Sequence, residues 1–240
     1  VQTCALPILA LEVARSLASQ GISAEIVNAD AMQLYSHMDI GTAKLSLAER
    51  NGVKHHMLDW LEITDESTAA EYQAVARPKI LELQARGIVP ILVGGSMLYV
   101  AAVLNTFDFP GRDEDLRAEL EADLETLGSR RLHQRLEQLD AQAAARIDPA
   151  NGRRVVRALE IVISTGQPFA AALPDQPESW QPVLEIGLNS ERSHLTERLA
   201  QRVAKMWRLG LVDEAQALIE EGLREGKTAS RAIGYSQALG

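Results

Sequence analysis

The sequence predicts an α/β protein in which a parallel-sheet core is interrupted by a helical insertion. Three observations carry that expectation. Helical and strand-like hydrophobic patterns alternate through the first third of the chain. A continuous apolar run, Ile88-Val89-Pro90-Ile91-Leu92-Val93, has the pattern of a strand buried on both faces. From Asp113 to about Ala172 the sequence is helical and charged, with no credible strand. The alternation builds parallel sheets flanked by helices, while short helices without a sheet form a subdomain of their own.

Taken in order, residues 9–19 carry Leu9, Val13 and Leu17 at helical spacing. A turn at Gly21 leads into Ala24-Glu25-Ile26-Val27, a short strand. Residues 67–86 form a helix, with Ser67 or Thr68 as cap, Glu71 in the first turn and Gly87 after its end. The apolar strand stops at Gly94-Gly95, and residues 96–104 resume as helix. Pro174, Pro177 and Pro182 punctuate the exit from the helical stretch. Residues 183–188 then read as strand-like, followed by amphipathic helices over 191–209 and 212–224. The division expected is 1–115 with 182–240 as the α/β core and 116–181 as the helical insertion. No internal repeat is visible.

The 240 residues include 46% hydrophobic and 24% charged residues, enough apolar surface to exclude a disordered chain. With 16 Gly and 9 Pro the chain is neither collagen-like nor of low complexity. The single Cys cannot make an internal disulfide or a thiolate zinc site, which suits a cytoplasmic protein. No apolar run reaches the roughly 18 residues that span a bilayer, so no membrane partner is expected. No basic start followed by an apolar core suggests export. A net charge of −9 means that any nucleic-acid contact must rest on local charge. One such region exists: between Ser129 and Arg157, seven Arg (130, 131, 135, 146, 153, 154, 157) face three acids, a local balance of +4. Arg153, Arg154 and Arg157 fall on neighbouring turns of one helix. That face can hold successive phosphates of a nucleic acid. It can equally exchange salt bridges with Glu160 and the acidic helix at 113–125. Without interleaved aromatics it is no stacking platform.

Ligands of open parallel sheets bind beyond the carboxyl ends of the strands. Two such ends are polar here. The first is Asn28-Ala29-Asp30, followed by Ala31-Met32-Gln33-Leu34-Tyr35. Asp30 there can accept a proton, or simply cap the next turn. The second is Gly94-Gly95-Ser96, where the backbone can approach a ligand closely, or merely turn tightly into a helix capped by Ser96. A third stretch, Met38-Asp39-Ile40-Gly41-Thr42-Ala43-Lys44, is an aperiodic loop whose Lys44 either meets an anion or lies in solvent. His55-His56 near Asp59 does not read as a zinc site, because adjacent histidines in a strand point to opposite faces.

A nucleotide or diphosphate user of this fold needs Gly-x-x-x-x-Gly-Lys-Ser/Thr between its first strand and first helix. Residues 1–8 carry no Gly and no Lys. Gly222-Leu-Arg-Glu-Gly226-Lys227-Thr228 is one residue short and follows a helix, so its glycines read as a helix end.

These stretches together resemble the bacterial tRNA dimethylallyltransferase family. The resemblance is carried by 28–35, by 38–44, by His55-His56-Met57-Leu58-Asp59 and by Leu92-Val93-Gly94-Gly95-Ser96-Met97-Leu98-Tyr99. Arg157-Ala158-Leu159-Glu160 and Ala232-Ile233-Gly234-Tyr235 extend it to the end, in the same order. It implies a P-loop-kinase-like core and a helical insertion that grips the anticodon stem-loop of tRNA. It also implies transfer of a dimethylallyl group from dimethylallyl diphosphate to the exocyclic amine of the adenine beside the anticodon. The base would be flipped out of its stack to react. By the same resemblance Asp30 is the general base, Ser96 orients it and Arg117 faces the reacting groups. Asp30, Ala31, Met32 and Gln33, with Arg153, Arg154, Val155, Val156 and Arg157, match the tRNA-contact stretches. Magnesium would accompany the diphosphate, in a monomer. The family's phosphate loop is expected where residues 3–8 stand, and relatives continue past Gly-Tyr into a basic tail. The chain therefore reads as truncated at both ends and impaired as written. Two alternatives are an adenylate isopentenyltransferase acting on a free nucleotide and a non-catalytic RNA-binding remnant. A small-molecule kinase would need the absent loop even more.

Overall fold

The structure is a computed structural model, and it describes residues 5–106, 109, 111–169 and 178–239. The chain forms two compact units, Val1–Leu104 with Gln181–Gly240, and Asn105–Trp180. Their limits fall at 104/105 and 180/181, where the sequence reading has 115/116 and 181/182.

The first unit is built on a three-stranded parallel sheet in the order β2-β1-β3. Helix α1 (Ala5–Ser19) leads into β1 (Ala24–Asn28), whose last three residues are buried. β2 is only His55–His56, paired with Ile26 and Val27. α2 (Ala69–Ala85) then crosses to β3 (Val89–Val93), which runs in register with β1 from Ala24↔Val89 to Asn28↔Val93. Thr68 caps α2 with a full capping box to Glu71, satisfying two orphan donors of its first turn. The amide of Val89 faces inward, to the Ser23 carbonyl at 2.9 Å. The neighbouring position therefore faces out, which lets Pro90 sit in β3 without breaking a ladder bond. α1 and α2 both pack on β1 and β3. Ala10, Leu11 and Ile26 form a buried cluster with Leu45, Val53, Ile91 and Val93 against it. α3 (Met97–Leu104) follows β3 directly.

Residues 183–188 depart from the expectation. They join no ladder among the described residues, and Val183, Leu184, Ile186 and Leu188 are exposed, Leu184 at 85%. Apolar residues extend into a strand only when another strand satisfies their backbone groups. α8 (Arg192–Leu209), α9 (Leu211–Glu220), a 3₁₀ turn (Ala229–Arg231) and α10 (Tyr235–Ala238) complete the unit. Gly222 lies just past α9, where the Leu223 amide bonds back to the Leu218 carbonyl at 2.9 Å. That glycine is a helix terminus.

The second unit is all helical among its described residues: α4 (Glu114–Leu127), α5 (Ser129–Leu139), α6 (Ala141–Arg146) and α7 (Gly152–Thr165). Its core is Leu120, Leu132, Leu136, Ile147, Val155, Val156 and Leu159 with small alanines between. Its two ends meet in a bridge between Asn105 and Ser179, with the Thr106 amide 2.8 Å from the Glu178 carbonyl. Val1–Cys4, which include the first two residues of the 3–8 stretch where a phosphate loop is expected, lie outside the described residues, as do Ala170–Pro177.

Candidate active site

β1 ends in Asn28, and the chain turns sharply at Asp30. Asn28 stitches that turn. Its side-chain amide donates to the carbonyls of Asp30 (3.2 Å) and Met57 (3.0 Å), and its oxygen accepts from the Asp30 amide (3.2 Å). The Asp30 carboxylate accepts from the Met32 amide at 3.0 Å, so the capping role is real. Asp30 is 8% exposed and also lines a cleft of about 580 Å³, counting the part open to solvent.

β3 delivers the second polar group. A Cβ on Gly94 would stand 2.2 Å from the Ala29 carbonyl carbon and oxygen, so only glycine lets the two strand ends approach this closely. The approach brings the Ser96 hydroxyl to the Ala31 amide, which it accepts at 2.8 Å, while the Ser96 amide donates to the Ala29 carbonyl at 3.3 Å. Ser96 thus holds the residue next to Asp30 through the backbone. Behind them Tyr72 donates to the Asn28 carbonyl at 2.5 Å and stacks on Tyr99, ring centroids 4.7 Å apart. Burial pushes both phenols up, so they stay protonated donors.

The cleft is further lined by Gln33, Thr42, His55, Gly95 and Arg202. Gln33 donates to the Thr42 carbonyl at 3.0 Å, and Arg202 reaches the same oxygen at 3.5 Å. His55 Nδ1 stands 2.9 Å from the Val53 carbonyl, which fixes the proton on that nitrogen. Its buried Nε2 has no hydrogen-bond partner among the described residues. Burial pushes the His55 pKa down, so the ring stays neutral. His56 turns instead to Glu25, at 2.5 Å. Lys44 is withdrawn from solvent, and the anions it meets are carboxylates of the protein itself. Its side chain is 2% exposed and its ammonium binds the Tyr35 carbonyl (2.8 Å), Asp39 (2.8 Å) and Asp59 (2.6 Å), closing the 38–44 loop.

Among the described residues no group of three or more His, Cys, Asp or Glu stands together to hold a metal ion. Among the described residues Asp30 is the single carboxylate lining the cleft, so a magnesium ion held there would take most of its ligands from substrate phosphate oxygens and water.

Arg117 lies in the helical unit, on α4. It is bound to Glu121 at 2.6 Å and Glu160 at 3.1 Å. Burial works against its charge, and the two carboxylates outweigh that, holding the guanidinium above its ordinary pKa. Glu160 is fully buried and also binds Arg157 at 2.9 Å. Within the 153–157 stretch the residues divide. Arg153 and Arg154 are exposed, Arg157 is half-buried, and Val155 and Val156 are 0% exposed. The two valines are core of the helical unit, and this corrects their placement on an RNA-contact surface, because a helix that shows arginines on one face must bury its apolar face.

Sequence reasoning missed Arg202, which lines the cleft from a helix remote in sequence, and it gave His55 no place there. An arginine within an amphipathic helix carries no local mark of such a role.

Known proteins bear on this site. The family model described as IPP transferase matches residues 33–240. The tRNA dimethylallyltransferase of Thermobifida fusca is 54% identical over 231 residues, covering 96% of this chain and 72% of that protein. That of Clavibacter sepedonicus is 54% identical over 231 residues, covering 96% and 75%. The crystal structure of a tRNA isopentenylpyrophosphate transferase from Bacillus halodurans superposes with a TM-score of 0.64 at 39% identity, over 99% of this chain and 74% of that one. A eukaryotic dimethylallyltransferase captured acting on tRNA gives 0.70 at 25% identity, over 90% and 53%. No described helix is long and apolar enough to cross a membrane. With the family matched over most of its length, the chain belongs to the tRNA dimethylallyltransferases, a family of prenyl-transferring enzymes.

Proposed function

We propose that the cleft at the ends of β1 and β3 receives the adenine beside the anticodon of a tRNA and prenylates its exocyclic amine with dimethylallyl diphosphate. The observation that carries the reading is the placement of Asp30 in a lined cleft, with Ser96 clamping the adjacent backbone. An exocyclic amine is a weak nucleophile, and a carboxylate in reach of its proton raises its reactivity as the bond forms. The amine nitrogen bonds to the allylic carbon, the carbon–oxygen bond to the diphosphate breaks, and the proton passes to Asp30. Arg202 on the cleft wall is a cation that would meet the leaving charge. The exposed Arg153 and Arg154 supply phosphate contacts to the stem-loop.

The test is a paired binding titration with an anticodon stem-loop RNA and with AMP, followed by single-turnover incorporation of labelled dimethylallyl diphosphate. The reading expects salt-sensitive stem-loop binding and label on the adenine. Preferred binding of AMP would move the acceptor to a free nucleotide. Stem-loop binding with no label, even at long times, would leave an RNA-binding remnant.

A further inference from the structure

The loop at 38–44 is held from within by Thr42, whose hydroxyl donates to the Met38 carbonyl at 2.6 Å, and by the Lys44–Asp39 pair, and it is held from outside as well. Glu214, in the first turn of α9, accepts from the Ile40 amide at 2.8 and 3.0 Å through its two oxygens, and from the Gly41 amide at 3.2 Å. Tyr235, at the start of α10, donates its phenol to the same carboxylate at 2.5 Å and accepts from the Gly41 amide at 3.2 Å. Tyr235 is fully buried, and its ring lies so close to Gly41 that a Cβ there would stand 2.4 Å from it. Burial and the neighbouring Glu214 push the phenol pKa far up, so it remains a donor. Next in the loop come Thr42 and Ala43, both lining the cleft. The Thr42 carbonyl is the acceptor for Gln33 and Arg202.

We propose that Glu214, backed by Tyr235, is a positioning residue that sets the cleft wall for the acceptor base. It pins the amides of Ile40 and Gly41. The pinned loop then presents the Thr42 carbonyl so that Gln33 and Arg202 are held at the mouth of the Asp30 cleft. The carboxylate itself touches no substrate. This inference rests on the tRNA reading, because it assigns the wall to an acceptor adenine.

The arrangement is expensive to lose and specific in what it controls. A carboxylate accepting two backbone amides and a phenol makes charge-assisted bonds of the stronger class. Glu214→Gln keeps the shape but turns a donor amide toward backbone donors or toward Tyr235. The loop should loosen while the helices and sheet stay packed.

The test compares the whole chain with Glu214→Gln and Tyr235→Phe by hydrogen exchange and by RNA binding. Two stem-loops are used, one with adenine beside the anticodon and one with uracil there. Glu214→Gln should raise exchange of the Ile40 and Gly41 amides by about tenfold or more, while amides in β1 and β3 keep their protection. It should also lower the adenine-over-uracil affinity ratio by about fivefold, because phosphate contacts are shared by both RNAs and base contacts are not. A purely structural role would weaken both RNAs alike and leave the ratio fixed. Tyr235→Phe keeps the ring against Gly41 and removes one donor to Glu214 and one acceptor for the Gly41 amide, so it should shift both readouts in the same direction by about twofold. If Glu214→Gln fails to fold, unchanged exchange and an unchanged ratio in Tyr235→Phe overturn the clamp, and a shift in both supports it. An unchanged ratio in a folded Glu214→Gln overturns it as well. If the unsubstituted chain binds neither RNA, the tRNA reading falls and takes the assignment of the wall to an adenine with it. The exchange result then still reports whether Glu214 holds the loop.

Discussion

Glu160 offers the sharpest stability test, because a fully buried carboxylate serves three donors at once. It accepts from Arg117 at 3.1 Å, Arg157 at 2.9 Å and the Asp113 amide at 3.3 Å. Replacing it with Leu leaves two guanidinium groups and one amide facing an apolar side chain. Stripping one partner from a buried ion pair costs about 3–5 kcal/mol. Two features lower that figure here: the Arg117 and Arg157 side chains keep 18% and 30% exposure, and Arg117 retains Glu121 at 2.6 Å. The ionic part then falls to about 2 kcal/mol, and the stranded amide adds about 1 kcal/mol. Glu160→Leu should therefore lose about 3 kcal/mol by urea denaturation, and Glu160→Gln, which keeps one acceptor oxygen, about 1–2 kcal/mol. In a double-mutant cycle, Arg117→Met with Glu160→Leu should cost clearly less than the sum of the two single changes, with a coupling above about 0.5 kcal/mol. A loss below about 0.5 kcal/mol for Glu160→Leu, or strict additivity, would refute the description of Glu160 as the shared anchor of both arginines.

Gly94→Ala forces backbone apart at the site itself, so it should cost about 1–3 kcal/mol in a urea titration and abolish any label transfer, whereas wild-type stability would show that the strands have room. Arg154→Ala should leave stability within about 0.5 kcal/mol and lower the salt slope of stem-loop binding by about 1. Val156→Ala should do the opposite, losing about 2 kcal/mol of stability while the slope stays unchanged, as befits a core side chain. His55 has its folded pKa pushed below the ordinary 6.5 by burial, so the unfolded chain takes up the proton first as pH falls. Its contribution is fully present above pH 6.5 and declines as pH drops toward the folded value. Melting temperatures measured at about pH 7.5 and about pH 5.5 should accordingly fall less in His55→Gln than in the unsubstituted chain, and an equal fall would place His55 in solvent.

The elements legible in the sequence were those whose causes are local. The Thr68–Glu71 capping box, the apolar run of β3 and the Gly94-Gly95 stop each depend on neighbours a few residues away, and each is present. The strand-like pattern at 183–188 failed because a ladder needs a partner that no local pattern specifies. Asp30 illustrates how two readings coexist: the same carboxylate bonds the Met32 amide and lines the cleft. Arg157 does likewise, keeping part of its surface while binding Glu160. Within the 153–157 stretch the sequence placed the arginines on one face but not the valines beneath them, since a contiguous run cannot lie on one side of a helix. Lys44, Arg202 and Glu214 were beyond reach for a different reason. Their partners are set by the path of the chain between distant elements, and a lysine in a polar loop looks the same whether it is solvated or tied down by three oxygens.

The account depends most on the Asp30 carboxylate acting on the acceptor amine, and Asp30→Asn isolates it, because the asparagine oxygen can still accept from the Met32 amide. Single-turnover transfer of labelled dimethylallyl diphosphate to the stem-loop RNA, with enzyme in excess, should fall by about 10²-fold or more in Asp30→Asn while stem-loop affinity stays within about twofold. Label transfer by Asp30→Asn at the rate of the unsubstituted chain would contradict it.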